Sequence, residues 1–122
     1  MNEHLTSQII NAALRVHSIL GPGLLEHAYR VCLVHELRKR GLNVETEVPV
    51  PIVYDGVVID IGFRLDLLVE EAVVVELKTV SKLSDVHGAQ LLSHLRLSEK
   101  ATGLLINFHV ARLRDGIKRI SN

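Results

Sequence analysis

Two acids and a lysine stand where the chain is most apolar. In "FRLDLLVEEAVVVELKTV", residues 63–80, Val73, Val74, Val75 and Leu77 leave no solvent side for a strand, yet that strand carries Glu76 and Lys78. Side chains alternate along a strand, so Glu76 and Lys78 project from one face about 7 Å apart. Asp66 lies on the strand before. Two carboxylates side by side in a dry core repel, and each tends to take up a proton unless a cation sits between them. Oxygen ligands with positions left for water suit Mg2+ or Mn2+. Such a cation binds a phosphate oxygen and lowers the pKa of a bound water. Lys78 would then orient that water or neutralise charge on a phosphate. The plainer reading is an internal ion pair of Glu76 with Lys78 or Arg64.

Whether Asp66 meets Glu76 turns on the hairpin loop. A two-residue loop of Glu70 and Glu71 would pair position 66 with 75 and put the carboxylates on opposite faces. A three-residue loop pairs Asp66 with Glu76 and Arg64 with Lys78, and we expect this register or a bulge of the same effect.

The elements that must hold these groups can be read from periodicity. Residues 3–20 carry apolar groups at helical spacing, from Leu5, Ile9, Ala12 and Ala13 to Val16, Ile19 and Leu20, until Gly21, Pro22 and Gly23 stop the helix. A second helix is predicted from near Leu24 to Arg40 on the stripe Leu24, Leu25, Ala28, Val31, Cys32 and Leu33, with Gly41 as its carboxyl-terminal cap. From Val44 the period becomes two: Val44, Thr46, Val48 and Val50 on one face, Glu45, Glu47, Pro49 and Pro51 on the other. The prolines place this strand at a sheet edge. Strands over Val57–Val69 and Val73–Lys78 follow, then a helix capped by Ser84 or Asp85 and ending near Ser98. "GLLINF", residues 103–108, is a buried strand, and "GIKRI", residues 116–120, adds a short one. The order ααβββαβ(β) is an α/β sandwich with a mixed central sheet flanked by helices.

At 122 residues and 48% hydrophobic, the chain fits one domain, 1–122. Fourteen basic and fourteen acidic residues cancel, so attraction to phosphate must come from local patches rather than a global field. Arg38, Lys39 and Arg40, then Arg112, Arg114, Lys118 and Arg119, are such clusters, read either as solvated surface or as phosphate contacts. Two Tyr and two Phe argue against a broad base-stacking platform. The lone Cys32 excludes disulfide stapling and a cysteine zinc cage, and fits a reducing cytoplasm. No apolar run approaches the roughly 20 residues of a membrane span. Gly21, Pro22 and Gly23 lack the features of a phosphate loop, and no G-x-S-x-G elbow exists.

With these residues in view, D…ExK across a β-hairpin resembles the PD-(D/E)XK nuclease superfamily. "GLLEHAY", residues 23–29, resembles the motif that names the small GxxExxY proteins within it, and "ELRKRGL", "FRLDLLVE", "VVVELKTV", "AQLLSHLRLS", "GLLINF" and "RLRDGIKRI" follow that family's order. The resemblance implies a restriction-endonuclease-like core and a nuclease site of Asp66, Glu76 and Lys78, with the Leu77 carbonyl as a further metal ligand. It also implies a metal-site role for the helical Glu26, otherwise a first-turn glutamate favoured by the helix dipole. Gln90, otherwise a polar residue at a helix margin, is where related nucleases bring a glutamine to the active site. Tyr29 reads as a packing or hydrogen-bonding partner. The family often has tyrosine where His94 stands, and His87 and His94, seven apart, read as a polar helix face.

The expectation is therefore a Mg2+- or Mn2+-dependent phosphodiesterase acting on DNA or RNA, free of the membrane. A unit of this size that must make two cuts is expected to dimerise. The alternative is a nuclease-fold module that binds nucleic acid or a protein partner without appreciable turnover, consistent with its small size and neutral charge.

Overall fold

The computed structural model describes residues 2–122. Two helices come first, α1 (Glu3–Leu20) and α2 (Glu26–Lys39). Then come strands β1 (Val44–Pro49), β2 (Ile52–Tyr54), β3 (Val57–Ile59), β4 (Arg64–Val69) and β5 (Val73–Lys78). Helix α3 (Asp85–Ser98), β6 (Thr102–Asn107), a 3₁₀ turn (Leu113–Gly116) and β7 (Ile117–Ser121) complete the chain. Five strands form one mixed sheet in the order β1-β4-β5-β6-β7. Only the β5–β6 pairing is parallel, and α3 supplies the crossover that such a pairing needs.

The sheet has a core on each face. Val73, Val75 and Leu77 pack with Ile9, Tyr29, Leu33 and Leu37 of α1 and α2. Val74 and Leu105 pack with Leu91 and Leu95 of α3. Being covered on both sides, β5 is the apolar run expected of a central strand. The edge position of the proline-bearing β1 is likewise as expected.

Several elements differ from their sequence reading. The stripe of α2 is shifted: Tyr29, Leu33, Val34 and Leu37 are buried, while Leu24, Leu25 and Val31 are exposed. The i, i+4, i+8 series that begins at Tyr29 defines the true inward face. Its predicted cap holds, for Gly41 at φ 84° lets Leu42 N–H donate to Leu37 O at 3.1 Å and Gly41 N–H to Arg38 O at 2.9 Å.

The stretch 57–69 is two strands, not one. Asp55 and Gly56, both at positive φ, make a two-residue loop that pairs Tyr54 with Val57, so β2 and β3 form a separate hairpin. Gly62, at φ 84°, then turns the chain into β4.

Nor does β1 keep one face throughout. Val44 packs on the α1/α2 side, whereas Val48 and Val50 belong to the α3 side. The reversal falls at Glu47, whose φ of 50° is left-handed. Opposite it, β4 reverses too, from Leu67 on the first side to Leu65 on the second. Asp66 is the residue between them.

Candidate active site

The turn between β4 and β5 fixes the register. Leu67, Leu68 and Val69 pair with Val75, Val74 and Val73, leaving Glu70, Glu71 and Ala72 as a three-residue loop. This is the register that sets Asp66 toward Glu76. Both glutamates of the loop are left-handed, with φ of 53° and 56°. Glu70 is anchored by Asn43, whose N–H donates to Glu70 Oε2 at 2.6 Å while Glu70 N–H donates to Asn43 O at 2.9 Å.

Past Leu67 and Val75 the main-chain pairing of the two strands stops, and Asp66 fills the gap. Its Oδ2 accepts the Leu77 main-chain N–H at 2.8 Å. Burial raises the Asp66 pKa to about 6, helped by the charges of Glu76 and Glu26 and opposed by the Leu77 N–H and by Arg30. Asp66 thus stands within electrostatic reach of an acid on β5 and an acid on α2. The second is placed by the first turn of α2, where Glu26 is the opening helical residue. Glu26 lies at the positive end of the helix dipole, and its charge is felt at Asp66.

The corner that delivers Glu26 is clamped by Tyr29. Its hydroxyl donates to Gly21 O at 2.5 Å and accepts the Leu24 N–H at 3.1 Å. Its ring is fully buried and stacks on Phe108 at 4.5 Å between centroids. Gly23, at φ 103°, makes the turn passable. The spacing Gly23, Glu26, Tyr29 is therefore one device: a turn, the acid it presents, and the ring that holds it.

Glu76 is 9% exposed, and the ion pairs considered for it do not form. Arg64 turns away to Asp60, 3.7 Å distant, and Lys78 is half-buried without an ion pair among the described residues. Instead, Nδ1 of His94 on α3 lies 3.7 Å from Glu76 Oε1. Phe63 packs against the His94 ring, 5.3 Å between centroids. The polar-face reading of the two histidines is thereby corrected. His94 points into the site, and His87 closes the start of α3 by accepting the Ser84 N–H on Nδ1 at 3.0 Å. Gln90 sits one turn before His94 on α3 and is exposed.

Asn107 was invisible as a site element inside "GLLINF". It is 1% exposed and pairs in register with Lys78. Its Nδ2 donates to Val80 O at 2.8 Å, and its Oδ1 accepts the N–H groups of Val80 at 3.1 Å and His109 at 3.2 Å. Lys78 O in turn accepts the Phe108 N–H at 2.9 Å. The end of β5 is therefore laced to β6 around Lys78. An amide inside an apolar run was the signal, by the same logic that singled out Glu76.

The basic clusters differ in their use. Arg15, Lys39 and Arg40 all lie 3.3 Å from the carboxylate of the buried Glu36, and Arg38 donates to Val44 O at 2.8 Å. Three of these cations thus surround one buried carboxylate at the end of α2. Arg112, Arg114, Lys118 and Arg119 are exposed.

The donor set suits a small hard cation. Asp66 and Glu76 are oxygen donors of raised proton affinity or missing partners, since Glu76 Oε1 is buried without a hydrogen bond. Among the described residues no three His, Cys, Asp or Glu side chains gather closely enough to form a cage. Mg2+ asks for no cage, for it binds through one or two carboxylates and keeps waters and substrate phosphates as its other ligands.

A model of the PD-(D/E)XK nuclease superfamily matches residues 3–120 of the chain. No curated protein and no solved structure matches it. Among the described residues no helix is long and apolar enough to cross a membrane.

Proposed function

The chain belongs to the PD-(D/E)XK nuclease superfamily, and from that premise we propose that it hydrolyses phosphodiester bonds of DNA or RNA with Mg2+ or Mn2+ at Asp66 and Glu76. The observation that carries this reading is Asp66 itself: a carboxylate tied to the Leu77 N–H, flanked by the charges of Glu76 and Glu26, with its pKa pushed up to about 6. A divalent cation relieves that repulsion.

Asp66, Glu76 and the Leu77 carbonyl would hold the cation, with Glu26 on its α2 side. When bound, it would draw charge from a phosphate oxygen and acidify water in contact with it. Lys78 follows Glu76 by two residues on the same strand face and sets its ammonium against the charge that grows on the phosphate oxygens. Asn107 keeps the main chain at Lys78 from shifting. Gln90, exposed at the site's edge, orients the nucleic acid once it is seated.

The test is a cleavage screen of single-stranded, duplex and branched DNA and RNA with Mn2+, comparing wild type with Asp66→Ala and Lys78→Ala. Cleavage by wild type alone supports the reading. Equal cleavage by all three proteins, or none by wild type on any substrate, contradicts it.

A further inference from the structure

A groove of about 540 Å3 runs between α2 and β1, with His27, Arg30, Val34 and Arg38 on one wall and Thr46 and Glu47 on the other. Two relations join it to the acids of the active site. Arg30, Val34 and Arg38 continue the row that starts at Glu26, each one turn beyond the last. Glu47 stands across from Asp66, since its neighbours Thr46 and Val48 pair with Leu67 and Leu65. The charge of Arg30 is accordingly felt at Asp66.

Arg30 has donors to spare. A guanidinium carries five N–H groups, and Arg30 Nη2 donates one to His27 Nδ1 at 2.8 Å. The same nitrogen lies 3.5 Å from Glu47 Oε1, while Nε and Nη1 make no hydrogen bond among the described residues. The Glu47 side chain is 64% exposed, and an exposed pair of that length adds little stability. A phosphodiester offers this guanidinium a fixed charge and two oxygens for its fork, a stronger partner than the loose carboxylate. Arg38, also exposed, spends one donor on Val44 O at 2.8 Å. Eight residues of helix set the two arginines about 12 Å apart along α2. That is the length of about three to four nucleotides of a duplex strand at roughly 3.4 Å each.

We propose that the α2/β1 groove carries the sugar-phosphate backbone of a nucleic acid to Asp66, with Arg30 and Arg38 as phosphate contacts and Glu47 as the acid that phosphate displaces from Arg30. A chain of zero net charge needs a local cationic path of this kind. The inference rests on the nucleic-acid reading above and adds to it the track by which a strand reaches the acids.

Binding is measured in EDTA, so that neither metal nor turnover enters, by fluorescence anisotropy of end-labelled single-stranded DNA, duplex DNA and single-stranded RNA. The proteins are wild type, Arg30→Gln, Arg38→Gln, Glu47→Gln and Arg112→Gln, the last outside the groove lining. On the probe that wild type binds most tightly, each groove arginine variant should weaken binding on the order of tenfold. Each should also lower the slope of log affinity against log salt by about one. Glu47→Gln should tighten binding about two- to fivefold, a gain that a merely structural ion pair does not give. Arg112→Gln should do neither. If an arginine variant does not fold, the Glu47→Gln gain decides. Unchanged affinity in Arg30→Gln and Glu47→Gln, or a loss in Arg112→Gln as large as in Arg30→Gln, overturns the groove and leaves the nuclease reading standing. No binding of any probe by wild type overturns both the groove and the nucleic-acid reading beneath it.

Discussion

Asp66 accepts the Leu77 main-chain N–H at the place where β4 and β5 cease to pair. That one hydrogen bond ties an acid of one strand to the backbone between Glu76 and Lys78 on the next. It also leaves Asp66 partly buried beside two other acids, a placement that opposes stability when the carboxyl is charged.

The cost is measurable in the metal-free protein. The folded pKa of Asp66, about 6, lies above the ordinary 3.8, so the folded state holds this proton more tightly than the unfolded chain does. The contribution of Asp66 to stability is then complete below the ordinary value and is lost as pH rises through about 6. Asp66→Asn, which keeps an acceptor for the Leu77 N–H without the charge, should raise the metal-free Tm by a few degrees at pH 7.5. The gain should shrink toward zero near pH 4. Thermal melts of both proteins across that range check this, and a Tm difference independent of pH would contradict it.

Tyr29→Phe removes the hydroxyl that holds Gly21 O and Leu24 N–H. A loss of about 1–2 kcal/mol is expected by denaturant titration, as for an unmet buried polar pair. The variant should also weaken Mn2+ binding, because Glu26 begins the helix that the clamp aligns. Unchanged metal affinity with reduced stability would make Tyr29 a packing residue only.

Asn107→Leu should cost about 2–3 kcal/mol, since it strands the main-chain groups of Val80 and His109 that its amide satisfies. Gly116→Ala presses on the same place from the other side: an added Cβ would meet Asn107 O at 2.4 Å. It should destabilise by about 1–3 kcal/mol. Both variants are expected to slow any cleavage more than they weaken metal binding, as Lys78 loses its fixed position. Paired turnover and metal titrations separate the two effects.

Much of this was legible from residue types. Glu76 and Lys78 announced themselves as charges in an apolar run, and the hairpin register followed from parity once a three-residue loop was chosen. The Tyr54–Val57 hairpin was also written in the chain, as Asp55-Gly56, but a long apolar stretch masked it. Three things were not legible. The face reversal at Glu47 and Asp66 depends on backbone torsion, which alternation alone cannot reveal. The approach of His94 to Glu76 depends on how α3 lies across the sheet. Glu36 joins Arg15 to Lys39 and Arg40 only because α1 packs beside α2, so two cations of a run that suggested phosphate contacts surround an internal carboxylate.

The most direct test of the account is the effect of Mn2+ on the Tm of wild type, Asp66→Ala and Glu76→Ala at pH 7.5. A ligand that binds only the folded state raises Tm in proportion to its affinity. The account predicts a concentration-dependent rise in wild type and none in either variant. The same rise in all three proteins, or no rise in wild type, would contradict it.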